Sequence, residues 1–431
     1  MTLCPSRRRA RLALAALPLI ALAACQTPSQ TSTPTARSAS EAPAAPPQAA
    51  VAFPVWLDAA RAEALRRGIS QATVQQAFDG LTPNPAVIDL DTRQPEFSQT
   101  FWHYLDGAVS ETRVAKGRAQ MQQNAALLAK LERTYGVPGR YLVAFWGIET
   151  DFGHNTGGFS VVRSLATLAY DGRRSAYFRD EMFAALTILD HRDIDNDHMT
   201  GSWAGAMGQA QFMPTAFLKY AVDQDGDGRR DIWTSVPDAL GSVANYLKTL
   251  GWDGSRGWGY EVTLPARFDA ALASLDSDAT ETVKSPAEWA ALGVRRADGS
   301  PLSKTDDPAA LILPAGIHGP AFLVRNNYRV ILKYNRSTFY AVAIGHLADR
   351  LNGAGTLAAP HQTAEPLKRE DIIALQQGLS SLGLLPGTPD GIAGGATRQA
   401  VRAFQKANGL APDGYIDLNL IAAVRAKGGN A

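Results

Sequence analysis

A glutamate at the end of an apolar segment is the residue of this chain best suited to acid–base chemistry. The segment reads Tyr141-Leu-Val-Ala-Phe-Trp-Gly-Ile-Glu149. On a helix, Phe145 and Trp146 lie four and three residues before Glu149, on the same face. Aromatic rings beside a carboxyl group exclude water, and this desolvation raises the pKa of the carboxyl group. A carboxylic acid that stays protonated near neutral pH can protonate the leaving oxygen of a glycosidic bond.

The residues around Glu149 leave its role open. A structural ion pair with Arg140 accounts for a glutamate at this position as well as catalysis does. The nearest acid, Asp151, points to a different side of a helix, so the local sequence offers no second carboxylate of the kind that hydrolytic glycosidases use. A partner from distant sequence, such as Asp171 or Asp180, would restore such a pair.

A second candidate segment is rich in glycine and alanine and reads Gly201-Ser-Trp-Ala-Gly-Ala-Met-Gly-Gln-Ala-Gln-Phe-Met-Pro214. Small residues let a ligand approach the backbone closely. Gln209 and Gln211 carry amides that can bind sugar hydroxyl or N-acetyl groups. The alternative is a structural turn in front of a helix that begins at Pro214.

An acidic loop, Asp223-Gln-Asp-Gly-Asp-Gly-Arg-Arg-Asp231, is the third candidate. Carboxylates at positions one, three, five and nine, with Gly228 at six, match the start of an EF-hand calcium loop. Arg229 would contribute its backbone carbonyl. Position twelve is Thr234, where a bidentate glutamate is expected, and Asp231 is the weakest ligand candidate. We expect a structural calcium ion here, with an acidic surface turn or a sodium site as the alternative.

Helical periodicity dominates residues 53–351, which must position these segments. One long helix is predicted from Ser110 to Tyr135 with a stop at Gly136, and a strongly apolar helix from Arg140 to Glu149. Further predicted helices are 164–170, 175–191, 215–222, 237–250 and 337–351. Alternating residues and turn signals between Glu261 and Pro314 predict a small β-containing insertion. The expected fold class is therefore mainly α, of the α+β type.

The first 24 residues resemble a lipoprotein signal peptide. Four arginines within residues 7–11 precede the apolar run 12–24, which is too short to span a bilayer. The run ends in Leu22-Ala-Ala-Cys25, which is similar to a bacterial lipobox and implies cleavage before Cys25 and lipidation of that residue. Gln26, in place of an aspartate, favours the periplasmic face of the outer membrane. An ordinary exported protein with a stray cysteine is the alternative.

Composition divides the remainder of the 431 residues. Residues 25–52 are rich in Ala, Pro, Ser and Thr and cannot bury enough apolar surface to fold. They are therefore predicted to form a flexible tether. Residues 352–365 form a linker rich in Gly, Ala and Pro. Residues 366–431 are too few to form more than a modest hydrophobic core, which suits a binding module. The net charge of +1 gives no attraction to nucleic acid, and we expect a monomer.

The chain resembles the membrane-bound lytic murein transglycosylase B family in two segments, Gly147-Ile-Glu-Thr150 and Gly201–Pro214. The similarity extends over residues 53–351. The resemblance implies a lysozyme-like catalytic domain with α-helical and small β-containing subdomains, in which Glu149 is the lone acid/base. It also implies contacts with muropeptide and glycan by seven residues: Arg173, Arg174, Ser202, Gln211, Tyr246, Tyr334 and Tyr340. For the last two, a place in the core is the alternative.

The same resemblance extends to the acidic loop and to the C-terminal unit. In the family a later aspartate closes a longer loop, and Asp238 matches it, so the implied ligands of the calcium ion are Asp223, Asp225, Asp227, Arg229 and Asp238. The two Leu/Phe-Gln helices of residues 366–431, each followed by an Asp-Gly turn, resemble a three-helix peptidoglycan-binding domain. Gly394-Gly395 stands where that family often has an aromatic residue, which would weaken binding.

The family reaction needs no cofactor and no water. The glutamate protonates the oxygen between N-acetylmuramic acid and N-acetylglucosamine, then accepts the proton of the muramic acid C6 hydroxyl as it closes on C1 and forms a 1,6-anhydro end. One carboxylate suffices because the nucleophile is intramolecular. Two other functions remain open at this point: a hydrolytic muramidase on the same fold, and a lipoprotein that binds peptidoglycan without cleaving it.

Overall fold

The computed structural model describes residues 51–93, 99–172, 174–275, 278–303 and 307–429. The expected signal peptide, the lipidation site Cys25, nearly all of the tether and Arg173 lie outside the described residues. Among the helices that the structure describes, none is long and apolar enough to cross a membrane.

The N-terminal half is helical. Its first seven helices are α1 (Phe53–Arg66), α2 (Gln71–Phe78), α3 (Pro85–Arg93), α4 (Phe101–Ala108), α5 (Glu111–Gln123), α6 (Ala125–Tyr135) and α7 (Gly139–Thr150). Residues Tyr141 to Gly147 of α7 are all buried, as an almost wholly apolar sequence requires. This helix is therefore the centre of the core.

A two-stranded sheet and four more helices follow. They are β1 (Phe159–Ser160), α8 (Val161–Asp171), α9 (Ser175–Asp190), β2 (Thr200–Gly201), α10 (Pro214–Tyr220) and α11 (Val236–Thr249). Strand β1 pairs with β2 antiparallel, with Phe159 opposite Gly201. Gly157 and Gly201 are required here: a Cβ atom on Gly157 would lie 2.2 Å from the Gly201 carbonyl oxygen, and one on Gly201 would lie 2.1 Å from the Ala206 carbonyl oxygen.

The insertion forms an antiparallel five-stranded sheet. Its elements are β3 (Gly259–Thr263), β4 (Val283–Lys284), α12 (Pro286–Ala291), β5 (Arg295–Arg296), β6 (Ala309–Ile312) and β7 (Ala321–Val324). The strand order is β4-β6-β7-β3-β5. It has its own apolar cluster, in which Trp289 and Leu311 are fully buried.

Two helices complete the main body and three form the C-terminal module. They are α13 (Asn326–Tyr334), α14 (Thr338–Leu351), α15 (Arg369–Ser381), α16 (Gly395–Ala407) and α17 (Leu418–Gly428). Helix α14 is buried over most of its length and packs against α7. It connects the helical body to the sheet and to the module.

The two glutamines of the module hold its Asp-Gly turns. Gln376 donates to Asp390 Oδ1 at 2.7 Å and accepts from the Gly391 backbone N–H. Gln405 repeats this arrangement with Asp413 and Gly414, each bond being 2.8 Å long. The repeated motif is thus a device that fixes the turns.

The module and its linker pack on the β-containing insertion. Arg402 donates to the Ala273 carbonyl at 2.7 Å, and Asp413 accepts from the backbone N–H of Ile317 at 2.9 Å. In the linker, the Glu261 carboxylate accepts from the backbone N–H groups of Ala358 and Ala359. The linker therefore follows the surface of the body.

The predicted mainly α fold class is confirmed, with three corrections. The single helix predicted over Ser110–Tyr135 is two helices, which meet at Asn124 (φ −103°, ψ 19°). The β-containing insertion does not end at Pro314, since β7 is its last strand. Five helices, α2, α3, α4, α12 and α13, lie outside the predicted helices; α13 begins without a side-chain cap, whereas α2 and α4 begin at the caps Ser70 and Thr100.

Candidate active site

Glu149 is the penultimate residue of α7, at a sharply defined helix end. Asp151 and Phe152 both have positive φ, and their N–H groups bond back to the carbonyls of Gly147 and Trp146. These two bonds are those that close a helix C-terminus. The Phe152 ring folds over Gly147, where a Cβ atom would lie 2.7 Å from the ring. The glycine in this stretch therefore lets the helix end directly after Glu149.

The carboxyl group of Glu149 lies among apolar atoms. A narrow space beside it is lined by Phe145 and Trp146 of its own helix and by Ala210 and Tyr334 from distant segments. Burial raises the pKa of Glu149 to about 7. The side chain as a whole is only half-buried, so a protonated acid is held where a ligand can reach it.

Tyr340 is the hydrogen-bond partner of Glu149. Its hydroxyl donates to Glu149 Oε1 from the first turn of α14, and the tyrosine is 3% exposed. This bond favours the carboxylate, so it lowers the pKa of Glu149 while burial raises it by more. The packing of α7 against α14 thus brings together two residues that are 191 positions apart in the sequence, and it fixes the orientation of the Glu149 carboxyl group.

The structural alternative for Glu149 is wrong. Arg140 lies near the opposite end of α7, with its guanidinium 4.9 Å from the Tyr141 ring. Within the described ranges, no ion pair involves Glu149. The carboxyl is a desolvated acid whose pKa is set by burial and by Tyr340.

The described residues provide no second carboxylate beside Glu149. Asp151 turns away and pairs with Lys116 at 2.7 Å, which holds the pKa of Asp151 below its ordinary value. Asp180 lies 3.7 Å from Arg67 on another face of the body. A carboxylate at the separation of about 5 Å that retaining glycosidases need would raise the pKa of Glu149 further, but no such contribution is present in the described residues.

The glycine- and alanine-rich segment lies against the Glu149 helix, and Gln209 has a structural role in it. The Gln209 side chain accepts from Trp146 Nε1 at 2.9 Å and donates to the Trp233 carbonyl at 3.1 Å. Thr150 donates to the Gln209 backbone carbonyl at 3.1 Å. Both polar atoms of the Gln209 amide bond inside the protein, and the residue is only 6% exposed, so Gln209 has a structural role in place of the expected sugar contact.

Gln211 and Ser202 are better placed for a ligand. The Gln211 Nε2 atom donates to the carbonyls of Thr156 and Gly208, and no described residue donates to its Oε1 atom. Ser202 Oγ accepts from the Ala206 backbone N–H at 3.0 Å, and the residue is half-exposed. Each side chain is fixed by the backbone and keeps capacity for at least one more hydrogen bond.

Tyr334 and Tyr246 form an aromatic wall. The Tyr334 hydroxyl donates to the Ala210 carbonyl, and its ring lies 4.8 Å from Phe145 and 4.9 Å from Tyr246. Tyr246 is 8% exposed and donates to the Lys333 carbonyl at 2.6 Å. Tyr334 is thus adjacent to Glu149, whereas Tyr246 stands one ring further behind it.

Arg174 precedes α9. Its guanidinium pairs with the buried Asp91 at 2.7 Å and lies 4.9 Å from the Phe178 ring, while 42% of its side chain stays exposed. This anchoring holds an accessible guanidinium in place. The structure gives no contact between Arg174 and Glu149, and Arg173 lies outside the described residues.

The acidic loop brings three carboxylates together. One oxygen each of Asp223, Asp225 and Asp227 lies within 4.8 Å of the others, as shared ligation of one cation requires. Asp238 is fully buried and accepts from the backbone N–H groups of Gln224, Asp225 and Asp231. Asp238 therefore shapes the loop, and Asp231 accepts from Trp233 and Thr234.

Two family patterns match the chain. Residues 52–349 match the transglycosylase SLT domain, and residues 368–424 match a peptidoglycan binding domain. Among curated proteins, the membrane-bound lytic murein transglycosylase B of Escherichia coli strain K12 is 32% identical over 289 residues, which are 66% of this chain and 76% of that protein.

Solved structures of lytic transglycosylases are also similar to this chain. SltB3 from Pseudomonas aeruginosa, in complex with NAG-NAM-pentapeptide, is 46% identical to this chain and superposes with a TM-score of 0.83. The match covers 86% of this chain and 99% of that chain. The same protein with NAG-anhNAM-pentapeptide gives a TM-score of 0.82. Escherichia coli lytic transglycosylase Slt35, in complex with calcium, is 28% identical over 69% of this chain and 92% of that chain, with a TM-score of 0.60.

Replacement of Tyr340 by phenylalanine should raise the pKa of Glu149 further above about 7. The variant keeps the ring but loses the donor that stabilises the carboxylate, a bond whose loss is worth about 1.5–3 kcal/mol, or roughly 1 to 2 in pKa. A carbon-13 NMR titration of the glutamate side chains measures this, with Glu149→Gln to assign the signal.

Tyr334→Phe is the matched control, since the Tyr334 hydroxyl donates to a backbone carbonyl rather than to Glu149. It should leave the Glu149 titration nearly unchanged. An unchanged or lowered pKa in Tyr340→Phe would show that this bond does not tune the acid.

Proposed function

This chain belongs to the transglycosylase SLT family and is a lytic murein transglycosylase, and we propose that Glu149 alone supplies both the acid and the base of its reaction. The single observation that carries the proposal is a desolvated carboxyl group with a pKa of about 7, held by a tyrosine and without a companion carboxylate in the described residues. An acid of this pKa is substantially protonated at neutral pH.

The proposed reaction has two proton transfers through the same carboxyl group. Glu149 first gives its proton to the oxygen that links C1 of N-acetylmuramic acid to C4 of N-acetylglucosamine, and the C1–O bond breaks. The C6 hydroxyl of the same muramic acid then forms the new C1–O bond, and its proton goes to the Glu149 carboxylate. The acid is regenerated, and no water is consumed. The complex of P. aeruginosa SltB3 with an anhydro-sugar ligand supports this course.

Tyr340 and Tyr334 support the acid in this scheme. After the first step Glu149 is a carboxylate with its pKa lowered by the Tyr340 hydroxyl, so the hydrogen bond stabilises the intermediate state of the enzyme. Tyr334 keeps water from the inner side of the carboxyl. We propose Ser202, Gln211 and Arg174 as contacts with the glycan and its peptide; for Tyr246 and Arg173 the same role stays a prediction.

We propose that the C-terminal module binds peptidoglycan and that the chain works as a monomer at the periplasmic face of the outer membrane, anchored through Cys25. The match of the module to a peptidoglycan binding domain supports the binding of peptidoglycan. The E. coli relative is named as membrane-bound, which supports the membrane anchor. The lipobox-like sequence supports the anchor. Hydrogen bonds of Arg402 to Ala273 and of Ile317 to Asp413 join the module to the β-containing insertion.

We propose that the acidic loop binds a structural calcium ion. The convergence of three carboxylates and the calcium complex of the Slt35 relative support this assignment. Asp223, Asp225 and Asp227 would supply the ligand oxygens, with the Arg229 carbonyl. Asp238, offered as a fifth ligand from sequence, already accepts three backbone N–H groups, and this suits a residue that shapes the loop around the ion.

Digestion of purified peptidoglycan should give fragments that end in anhydro-sugars, without the mass of an added water. Glu149→Gln should lower the cleavage rate by a factor of about 100 to 10,000, because the amide cannot transfer the proton. Mass spectrometry of the fragments measures both results. Asp151→Asn is the matched control and should keep activity, since Asp151 faces Lys116 and asparagine tolerates its left-handed backbone.

Fragments heavier by one water molecule would identify a hydrolytic muramidase instead. Full activity in Glu149→Gln would refute the assignment of the acid under either reaction. Absence of any cleavage by the wild-type chain, with binding retained, would leave only a peptidoglycan-binding lipoprotein.

Calcium should raise the melting temperature of the protein. A ligand that binds only the folded state stabilises it by about 2.7 kcal/mol at roughly 100 times its Kd, so a chelator should lower the melting temperature by several degrees. Asp223→Ala combined with Asp225→Ala should abolish this difference. Asp195→Ala combined with Asp197→Ala removes two exposed carboxylates elsewhere and should preserve it. A chelator without effect on the wild-type melting curve would rule out the site.

A further inference from the structure

Gln209 lines the narrow space beside Glu149, which it reaches from the glycine- and alanine-rich segment. Its side-chain amide lies between two tryptophan residues. The Oε1 atom accepts from Trp146 Nε1 at 2.9 Å, and the Nε2 atom donates to the Trp233 carbonyl at 3.1 Å. One buried amide therefore connects the helix that carries the acid to the segment that follows the acidic loop.

The Trp146 ring is one of the groups that exclude water from the acid. It lies three residues before Glu149 on the same face of α7, lines the same narrow space and is 5% exposed. It packs edge-on against the Phe152 ring, with the centroids 5.7 Å apart. Because a buried indole N–H without an acceptor is costly, the bond to Gln209 favours the ring orientation in which Trp146 borders the carboxyl group.

The backbone of Gln209 holds the residue that directly follows the acid. Thr150 is 1% exposed, and its hydroxyl donates to the Gln209 carbonyl at 3.1 Å and accepts from the Gly153 backbone N–H at 3.0 Å. A Cβ atom on Gly153 would lie 2.6 Å from Gln209 Oε1, so the turn after α7 closes directly on the amide. Gln209 thus contacts α7 both before and after Glu149.

The segment on the other side of the amide is fixed by its own hydrogen bonds. The Gln209 backbone N–H donates to the Ile232 carbonyl at 2.8 Å. The next residue, Trp233, donates from its backbone N–H to Asp231 Oδ1 at 2.9 Å and from Nε1 to the Thr200 carbonyl at 3.0 Å. Trp233 is therefore held in place, and the Gln209 amide transmits this fixed position to α7.

We propose that Gln209 is a positioning residue for the catalytic acid: its amide acts through the Trp146 ring, its backbone carbonyl acts through Thr150, and neither group contacts the substrate. The proposal rests on the proposed function, because it takes Glu149 as the acid. Without the amide, the Trp146 ring is free to move and water reaches the inner side of the carboxyl group. Glu149 then loses part of its desolvation and its fixed orientation toward the glycosidic oxygen.

Gln209→Met in the full mature chain tests the proposal, because methionine has nearly the shape of glutamine but lacks the amide. On soluble, uncrosslinked glycan strands, kcat should fall about 10- to 100-fold while KM changes less than about threefold, since the acid is disturbed and the sugar contacts are not. Carbon-13 NMR titration should give a lower pKa for Glu149 than in the wild type, because water reaches the carboxyl group. This direction is opposite to the one expected for Tyr340→Phe.

Two further variants separate positioning from a general loss of stability. Trp146→Phe removes the donor of the same hydrogen bond, so the double variant with Gln209→Met should lose no more kcat than the more severe single variant. Asn327→Leu is the matched control, because Asn327 is a buried amide on α13 that bonds to the backbone of Asp253 and Arg256. It should lower the melting temperature and leave both kcat and the pKa of Glu149 unchanged.

A raised KM with unchanged kcat in Gln209→Met would show a sugar contact and overturn the proposal. Multiplied losses in the double variant, or a folded Gln209→Met with the wild-type kcat and Glu149 pKa, would overturn it as well. If Gln209→Met does not fold, Gln209→Asn replaces it, since its amide is one methylene shorter, and the same two changes are expected. Full activity in Glu149→Gln would refute the proposed function instead, so the two failures give different results.

Discussion

The proposed chemistry depends on the burial of one carboxyl group without a counter-charge. Glu149 ends a helix whose preceding residues are almost all apolar, and the packing of α14 against that helix covers the carboxyl with aromatic rings and supplies one hydroxyl. Desolvation costs the charged form more than the tyrosine bond returns. An acid with a pKa of about 7 is therefore substantially protonated at neutral pH, and the packing of α14 against α7 maintains this balance.

The same constraint accounts for the mechanism that we propose. A hydrolytic pair of carboxylates would place a second charge near Glu149, whereas Asp151 is turned toward Lys116 by the left-handed end of α7. In the proposed reaction, since the described residues place one carboxyl group at this site, the base of the second step is the acid that has just lost its proton. An intramolecular nucleophile makes this possible, because it needs no separate residue to position a water molecule. Tyr340 then helps the carboxylate at the moment when it is charged.

Local patterns predicted much of this architecture, and long-range contacts account for what they missed. The apolar run of α7, the stop at Gly136 and the carboxylate spacing of the acidic loop are written in contiguous residues, so the helix, its end and the cluster were all predictable. The break at Asn124 was hidden by continuous helical periodicity on both sides. The amide of Gln209 was expected to bind sugar, since its type fits either role and only its bonds to Trp146 and Trp233 reveal the structural one.

The pH dependence of cleavage tests the central claim most directly. If the protonated Glu149 starts the reaction, kcat/KM on peptidoglycan should fall about tenfold per pH unit as the pH rises above about 7, and the kinetic pKa should equal the one measured for Glu149 by NMR. A rate that stays constant or increases between about pH 7 and pH 9, where Glu149 is ionised, would contradict the account, since the carboxylate cannot then be the acid of the first step.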